Sequence, residues 1–299
     1  MTGSSSEGTT PRVAVVTDST AGLTPEAADE AGITVVPLQL VIAGTSYDDG
    51  VDPEATPEHL AAALREFRPV STSRPSPQVV LETYEDLAAT GVEAVVSVHL
   101  SSQLSATFES AQLARRTCSV PVVPVDTRQI GAATGYAALA AASVAAAGGS
   151  AEEVAEAART QAERTTSLFY VDTLEYLRRG GRVGAVGALV GSALAVKPIL
   201  EVEDGRIVTR EKVRTSVRAI ARLEELAVHA AQDDRTGDAV DVAVCHLANR
   251  DAADRLAAGL AGRLAGRLQG HEVAIQEVGA VLGAHVGPGL LGVVVTPQV

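Results

Sequence analysis

Short runs of β-branched residues alternate with helix-start signals through the first half of the chain, and this order constrains the fold more than any other feature. The run at residues 13–16 ends in the polar triplet 17–19. Thr24 then stands as an N-cap before Pro25, a residue favoured at the first helical position, and residues 33–40 return as a strand that Pro37 breaks. Thr56 before Pro57 starts a second helix in the same way. This β-α-β order is typical of an α/β domain built on a parallel sheet.

Polar residues follow three of the predicted strands at the point where each strand ends. These clusters are residues 17–19, 99–102 and 126–127. Because ligands of open parallel sheets bind beyond the carboxyl ends of the strands, the clusters predict a binding site at one edge of the sheet. Asp18 has no second carboxylate at ligand spacing, so we expect no metal there.

The second half of the chain mixes a hairpin with helices. Asp204-Gly205 lies between two β-branched runs and is a strong hairpin signal. A length of 299 residues suits about two domains. We therefore predict an α/β protein with two domains, the N-terminal one with a mostly parallel sheet and flanking helices, the C-terminal one a mixed α/β domain with a partly antiparallel sheet. Residues 1–11 are predicted to be a disordered tail, 12–150 the first domain and 151–299 the second.

Composition and charge disfavour several classes of function. The net charge is −13, aromatic residues make up 3% and Trp is absent, which argues against binding to nucleic acid. The two cysteines lie far apart and no G-x-x-x-x-G-K-[ST] motif occurs, so we expect no cofactor. We recognise no signal peptide or membrane span and expect a cytoplasmic protein without integral membrane association.

Residues 71–77 form the first candidate binding segment, predicted as a Ser/Pro-rich loop. Thr72 and Ser73 supply hydroxyl groups beside the guanidinium of Arg74. Hydroxyls at a helix entry, together with free backbone N–H groups, can hold a carboxylate or a phosphate. The alternative is that Ser76 only caps the following helix.

Residues 101–107 form a second candidate, since they follow a predicted strand and open a helix. Ser105 and Thr107 offer hydroxyls beside the positive end of that helix. We favour anion binding over a nucleophilic serine because no G-x-S-x-G elbow is present. A simple N-cap remains the alternative.

Two single residues complete the candidates. Arg182 follows Gly180-Gly181, a helix stop, and an arginine after such a turn can point into a cleft. His285 precedes the rigid Gly-Pro-Gly turn at 287–289, which favours a lined pocket. Neutralisation of a helix C-terminus and a structural histidine are the respective alternatives.

Several stretches in this order resemble the DegV family of fatty-acid-binding proteins, from about Arg12 to the C-terminus. The stretches are VTDSTAGL, TSRPSP, SSQLSATFESA, VVPVDT, DTLEYLRRGGRVG, LAVKPIL and HVGPG. The resemblance implies a non-catalytic protein that buries a long-chain fatty acid in a lipid cleft between its two domains. It further implies a separate fatty acid kinase as partner, to which the carboxylate is presented for acyl-phosphate formation.

Carried onto this chain, the resemblance implies that hydroxyls hold the carboxylate, while an arginine and a histidine lie near the head group and the kinase-facing surface. The implied ligand-binding residues are Thr72, Ser73, Ser102, Ser105, Arg182 and His285. The chain departs from the family pattern at two positions, with Arg74 where Gln is usual and Ala106 where Gly is usual.

Three other functions remain open from the sequence. Ser105 and His285 could form an esterase site if the fold brings them together. A DNA-binding regulator is disfavoured by the acidic chain. A carrier of another amphipathic acid, such as a branched lipid, would use the same kind of cavity.

Overall fold

The computed structural model of this protein describes residues 12–182, 197–233 and 239–299. The predicted tail, residues 1–11, lies outside the described residues. The first half contains β1 (Val13–Asp18), α1 (Pro25–Glu30), β2 (Ile33–Val36), β3 (Gln39–Ile42), β4 (Thr45–Asp48), α2 (Pro57–Arg65), β5 (Val70–Ser73), α3 (Pro77–Ala89), β6 (Ala94–His99), α4 (Thr107–Ala114), β7 (Val122–Asp126), α5 (Ala132–Ala146) and α6 (Ala151–Glu163). The second half contains β8 (Thr166–Tyr170), α7 (Glu175–Arg179), β9 (Lys197–Glu203), β10 (Arg206–Val213), α8 (Ser216–Ala231), β11 (Val240–His246), α9 (Arg250–Leu268), β12 (Ala274–Glu277), α10 (Ala280–Val286) and β13 (Leu291–Pro297).

The first half is built on a four-stranded parallel sheet in the order β2-β1-β6-β7. The three strands with polar carboxyl ends, β1, β6 and β7, are therefore neighbours. The helices begin where the sequence predicts, with Thr24, Thr56 and Ser76 each accepting a backbone N–H of the first turn. The predicted α/β class with a parallel N-terminal sheet is confirmed.

A separate three-stranded antiparallel sheet, in the order β4-β3-β5, lies beside the parallel sheet. The prediction of a loop across residues 71–77 is wrong for its first three residues, because these lie in β5. Thr72 stands opposite Leu40 of β3 in this pairing. Serine-rich segments are typical of turns, but here the backbone hydrogen bonds of a distant strand stabilise the extended conformation.

The second half carries a six-stranded mixed sheet in the order β10-β9-β8-β13-β11-β12. All its pairs are antiparallel except β11 with β12. The predicted hairpin connects β9 to β10, and its turn residues Asp204 and Gly205 have φ values of 49° and 77°. The predicted mixed, partly antiparallel C-terminal sheet is confirmed.

One hydrophobic cluster joins the two halves through Leu40 of β3, Leu177 of α7, Leu200 of β9 and Val281 of α10. Helix α10 itself was not predicted from the sequence. The domain boundary near residue 150 stays a prediction; α6, which begins just after it, packs on the four-stranded sheet. Within the described ranges, no helix is long and apolar enough to cross a membrane.

Candidate functional site

A cavity of about 150 Å³ opens where the two halves meet, beyond the carboxyl ends of β1 and β6. Five of the predicted binding residues line it: Thr72, Ser73, Ser105, Arg182 and His285. The rest of the wall is mostly apolar and includes Leu38, Leu100, Leu104, Ile130, Leu177, Ile207, Val281, Leu282 and Val286. The cavity therefore combines a small polar patch with an apolar wall, the arrangement that an amphipathic ligand requires.

Ser102 lies apart from the other five predicted residues. Its hydroxyl donates to Asp126 Oδ2 at 2.5 Å, and its backbone N–H donates to Asp126 Oδ1 at 3.2 Å. These bonds fasten the loop after β6 to the end of β7. A ligand role for Ser102 stays a prediction, and the cavity lining does not include it.

Thr72 and His285 connect β5 to α10, with 2.8 Å between Thr72 Oγ1 and His285 Nε2. The other ring nitrogen, Nδ1, is buried without a hydrogen-bond partner in the described part of the chain. A buried N–H without an acceptor is rarer than a buried acceptor without a donor. We therefore assign the ring proton to Nε2, which donates to Thr72 Oγ1. The hydrogen of the Thr72 hydroxyl is then available to an anion in the cavity.

Arg182 fixes the loop after α7 to the loop after β6. Its Nε donates to the carbonyl of Leu104 at 2.9 Å, and its Nη1 donates to the carbonyl of Gly180 at 2.5 Å. Burial lowers the pKa of Arg182 from its ordinary value. Burial, with the adjacent charge of Arg182, also lowers the pKa of His285 to about 4. The imidazole is thus neutral at neutral pH, and the guanidinium carries the positive charge.

Ser105 lies one residue before Ala106, the N-cap residue of α4. The Oγ of Ser105 accepts the backbone N–H of Thr107 at 3.3 Å and lies 2.9 Å from Thr107 Oγ1. Ala106 has no side chain with which to cap the helix. A hydroxyl at the positive end of an eight-residue helix favours an anion.

The two departures from the family pattern contact each other. Arg74 Nη1 donates to the carbonyl of Ala106 at 3.0 Å and lies 3.4 Å from a carboxylate oxygen of Glu109. Ala106 has a φ of −82°, a conformation that does not require glycine. Alanine is therefore accommodated at this position without strain, and Arg74 brings a second guanidinium to the cavity.

A second imidazole, His99, lies in a closed network behind the cavity. His99 Nδ1 is 2.9 Å from Asp18 Oδ2, and His99 Nε2 is 2.7 Å from Ser97 Oγ, which also accepts from Tyr84 at 2.8 Å. The carboxylate–imidazole–hydroxyl order is that of a hydrolase triad. All four residues have no solvent-accessible surface, so no substrate reaches the serine.

The esterase alternative named Ser105 and His285. Their recorded partners in the described chain are Thr107 and Thr72 respectively, and no hydrogen bond joins the two. The described residues contain no group of three or more His, Cys, Asp or Glu side chains that could hold a metal.

Asp49 supports the site and was not predicted from the sequence. Its Oδ1 accepts the backbone N–H groups of Ala280 at 3.0 Å and Val281 at 3.4 Å, at the start of α10. Burial raises the pKa of Asp49 to about 6. No local pattern predicts this cap, because the residues that it joins are 231 positions apart.

The fold and cavity define a class of α/β proteins in which an apolar site with one polar end lies between the two halves of the chain. The DegV family model (uncharacterised protein, DegV family) matches residues 12–298. A DegV domain-containing protein of Streptomyces coelicolor is 52% identical over 287 residues, which are 96% of this chain and 99% of the relative. This chain therefore belongs to the DegV family.

Solved structures agree with this assignment. A fatty-acid-binding DegV family protein of Thermus thermophilus is similar with a TM-score of 0.85 and 30% identity, covering 96% of this chain and all of its own (100%). DegV of Bacillus subtilis, a fatty-acid-binding protein, also has a TM-score of 0.85, with 32% identity and coverage of 96% of this chain and 99% of its own.

Proposed function

We propose that this protein binds a long-chain fatty acid, with the carboxylate at Thr72 and Ser105 and the acyl chain against the apolar wall. The observation that carries the proposal is the meeting of these hydroxyls with Arg182 and His285 at the polar end of one cavity. The fatty-acid-binding relatives in Thermus thermophilus and Bacillus subtilis support it.

The apolar wall and the polar end of the cavity contribute differently to binding. Each methylene group moved from water into the apolar wall stabilises the complex by ~0.8 kcal/mol, so the acyl chain supplies most of the affinity. The carboxylate loses hydration on entry and must recover hydrogen bonds. The free hydrogen of Thr72, the Ser105 hydroxyl and the cation of Arg182 provide them.

The acyl chain needs more room than the small cavity offers. A cavity of about 150 Å³ is the size that holds a benzene ring. A cleft of about 850 Å³ lies next to it, and the walls interleave: Pro37 and Gly279 face the cleft, whereas Leu38 and Val281 face the cavity. We propose that a long chain displaces this thin wall towards the larger cleft.

Presentation of the carboxylate to a separate kinase completes the proposed function. A carboxylate oxygen would attack the terminal phosphorus of a nucleoside triphosphate, the bond to the bridging oxygen would break, and the nucleoside diphosphate would leave. The products are an acyl phosphate and the diphosphate. Since the sequence has no P-loop, the nucleotide site belongs to the partner in this proposal.

Mass spectrometry of organic extracts from the purified protein tests the ligand class directly. We expect fatty acids of about 14 to 18 carbons, whose buried methylene groups supply the affinity. Recovery of a different amphipathic acid would replace the fatty acid in the proposal. Recovery of no lipid, together with no binding of added oleate, would overturn it.

Fluorescence titration with oleate tests the residues. Thr72→Val keeps the shape of the side chain but removes the hydroxyl, and we expect affinity to fall about tenfold to a hundredfold. Ser71→Ala is the matched control, because Ser71 precedes Thr72 in β5, is exposed and does not line the cavity. Equal affinity of both variants would remove Thr72 from the site.

Hydroxylamine trapping tests presentation to a kinase. The protein with oleate, ATP and Mg²⁺ is expected to give no hydroxamate alone and to give hydroxamate once a fatty acid kinase catalytic subunit is added. Hydroxamate formed by this chain alone would show that it is itself the kinase.

A further inference from the structure

Two guanidinium groups line the polar end of the cavity, and a bound carboxylate neutralises the charge of only one of them; the other, Arg74, lies 3.4 Å from the exposed carboxylate of Glu109. Arg74 and Arg182 both line the polar end, and the third nitrogen base, His285, is neutral at neutral pH. A carboxylate brings a single negative charge and two oxygens. A phosphate monoester brings about 1.5 to 2 negative charges and three terminal oxygens.

The two guanidinium groups bracket Ser105. Arg182 donates to the carbonyl of Leu104, the residue before Ser105, and Arg74 donates to the carbonyl of Ala106, the residue after it. Two residues of chain span at most about 7 Å. The Ser105 hydroxyl thus shares one cavity with two cations that are anchored on the residues either side of it.

Each guanidinium keeps donors for an anion. In residues 12–182, 197–233 and 239–299, the hydrogen bonds of Arg182 come from Nε and Nη1, and those of Arg74 come from Nη1 alone. Nη2 of Arg182, and Nη2 and Nε of Arg74, are thus uncommitted there. With the hydroxyls of Thr72 and Ser105, these donors exceed what two carboxylate oxygens accept.

We infer, resting on the proposed lipid-binding function, that the polar end of the cavity takes the dianionic terminal phosphate group of a single-chain lipid, and that Arg74 selects it over a carboxylate. Arg182, half-buried and bonded on two sides, serves either head. Arg74 is the more exposed of the two cations, and its ion pair with Glu109 is open to solvent and weak. A phosphate oxygen displaces Glu109 because a charge-assisted bond inside the cavity is stronger than an exposed ion pair.

The same head group occurs in two kinds of single-chain lipid. An acyl phosphate carries the phosphate directly at the end of the chain, whereas a monoacylglycerol phosphate carries it beyond a glycerol unit. Dodecyl phosphate is a stable probe of the first kind, and monododecanoyl glycerol phosphate is a probe of the second.

Calorimetric titration at pH 8 tests the inference with dodecyl phosphate, dodecyl sulfate and dodecanoate, all below their micelle concentrations. Dodecyl sulfate has the tetrahedral head but one charge.

We expect Arg74→Gln to weaken dodecyl phosphate binding about tenfold and to weaken the binding of the two monoanions much less. Glu109→Gln should strengthen dodecyl phosphate binding, because it frees Arg74. Arg12→Gln is the matched control, since Arg12 also forms an exposed ion pair, with Glu93, away from the cavity.

The outcomes separate the inference from the proposed function. Equal losses for all three ligands in Arg74→Gln, or no loss in any, would overturn the role of Arg74 while leaving lipid binding intact. Absence of binding of every probe to the unaltered protein would overturn both. If monododecanoyl glycerol phosphate binds more tightly than dodecyl phosphate and shows the same loss in Arg74→Gln, the inference of a terminal phosphate group stands and its source is a glycerol lipid. The reverse preference indicates an acyl phosphate.

Discussion

Two imidazole–hydroxyl pairs of this protein have opposite surroundings. His99 is bonded through both ring nitrogens, to Asp18 and to Ser97, and has no exposed surface. His285 is bonded through one ring nitrogen, to Thr72, and lines a cavity. The first pair is completed by the protein, whereas the second leaves the Thr72 hydrogen available to a ligand.

The difference teaches that the type of residue does not distinguish a structural site from a binding site. A fully satisfied, dry network holds strands together, because every donor and acceptor has a partner that water cannot replace. A partly satisfied group at a cavity retains bonding capacity for a ligand. The predictions below test these two conditions.

The largest effect is expected from Asp18→Ala. Asp18 accepts hydrogen bonds from His99, from the backbone of Leu100 and from Thr20, so its removal leaves several buried donors without a partner. We expect the free energy of unfolding in urea to fall by about 3–5 kcal/mol. Asp86→Ala, at an exposed position of α3, is the control and should change it by less than about 0.5 kcal/mol. Similar values for both would mean that the network does not stabilise the sheet.

Asp49 caps the start of α10 and His285 lies in its last turn. The two residues should make the free energy of unfolding depend on pH in opposite directions. Burial raises the native pKa of Asp49 to about 6, so the folded protein binds the proton more tightly than the unfolded chain. The stabilisation from this proton is fully present below the ordinary value near 4 and is lost as pH rises through 6. Relative to that of Asp49→Asn, the free energy of unfolding of the unaltered protein should fall by about 3 kcal/mol between pH 4 and 7. A constant difference between the two across this range would show that Asp49 does not titrate in the native state.

His285 should make the free energy of unfolding rise with pH, opposite to the effect of Asp49. Its native pKa is lowered to about 4, so protonation in the unfolded chain destabilises the native state as pH falls below the ordinary value of 6.5. Relative to that of His285→Gln, the free energy of unfolding of the unaltered protein should rise by about 3 kcal/mol between pH 4 and 7. Nitrogen NMR of the ring at pH 6 is expected to show a neutral imidazole with its proton on Nε2; a proton on Nδ1 would contradict the donor role of Thr72.

A smaller effect should follow from Gly180→Ala. A Cβ at this position would clash with His285 Nδ1, so the ring cannot keep the position in which its Nε2 contacts Thr72. We expect a loss of about 1–3 kcal/mol in the free energy of unfolding, together with weaker oleate binding. Gly262→Ala in α9 meets no atom within 4 Å and should stabilise the protein by about 0.5–1 kcal/mol. Oleate affinity that is unchanged in Gly180→Ala would separate the ring position from ligand binding.

Much of the fold was predictable because its signals are local. The caps at Thr24, Thr56 and Ser76, and the turn at Asp204-Gly205, depend on a few adjacent residues that carry the same preferences in any context. The three polar strand ends also predicted the edge of the sheet beyond which the cavity lies.

Other features were not predictable from local patterns. The strand conformation of β5 depends on pairing with β3, and α10 depends on a cap from Asp49. Ser102 belongs to a hydroxyl-rich binding motif, yet the fold places it against Asp126.

The sequence by itself determined the β-α-β order of the first half, the helix caps and the hairpin turn that depend on adjacent residues, and the presence of hydroxyls and cations suited to an acidic head group. Only the tertiary structure decided which of these groups meet: Thr72 with His285, Arg74 with Ala106, and His99 with Asp18. The physical reason is distance along the chain. A cap or turn is selected by its immediate neighbours, whereas a contact between remote segments depends on how the whole core packs and on which polar groups that packing leaves without a partner.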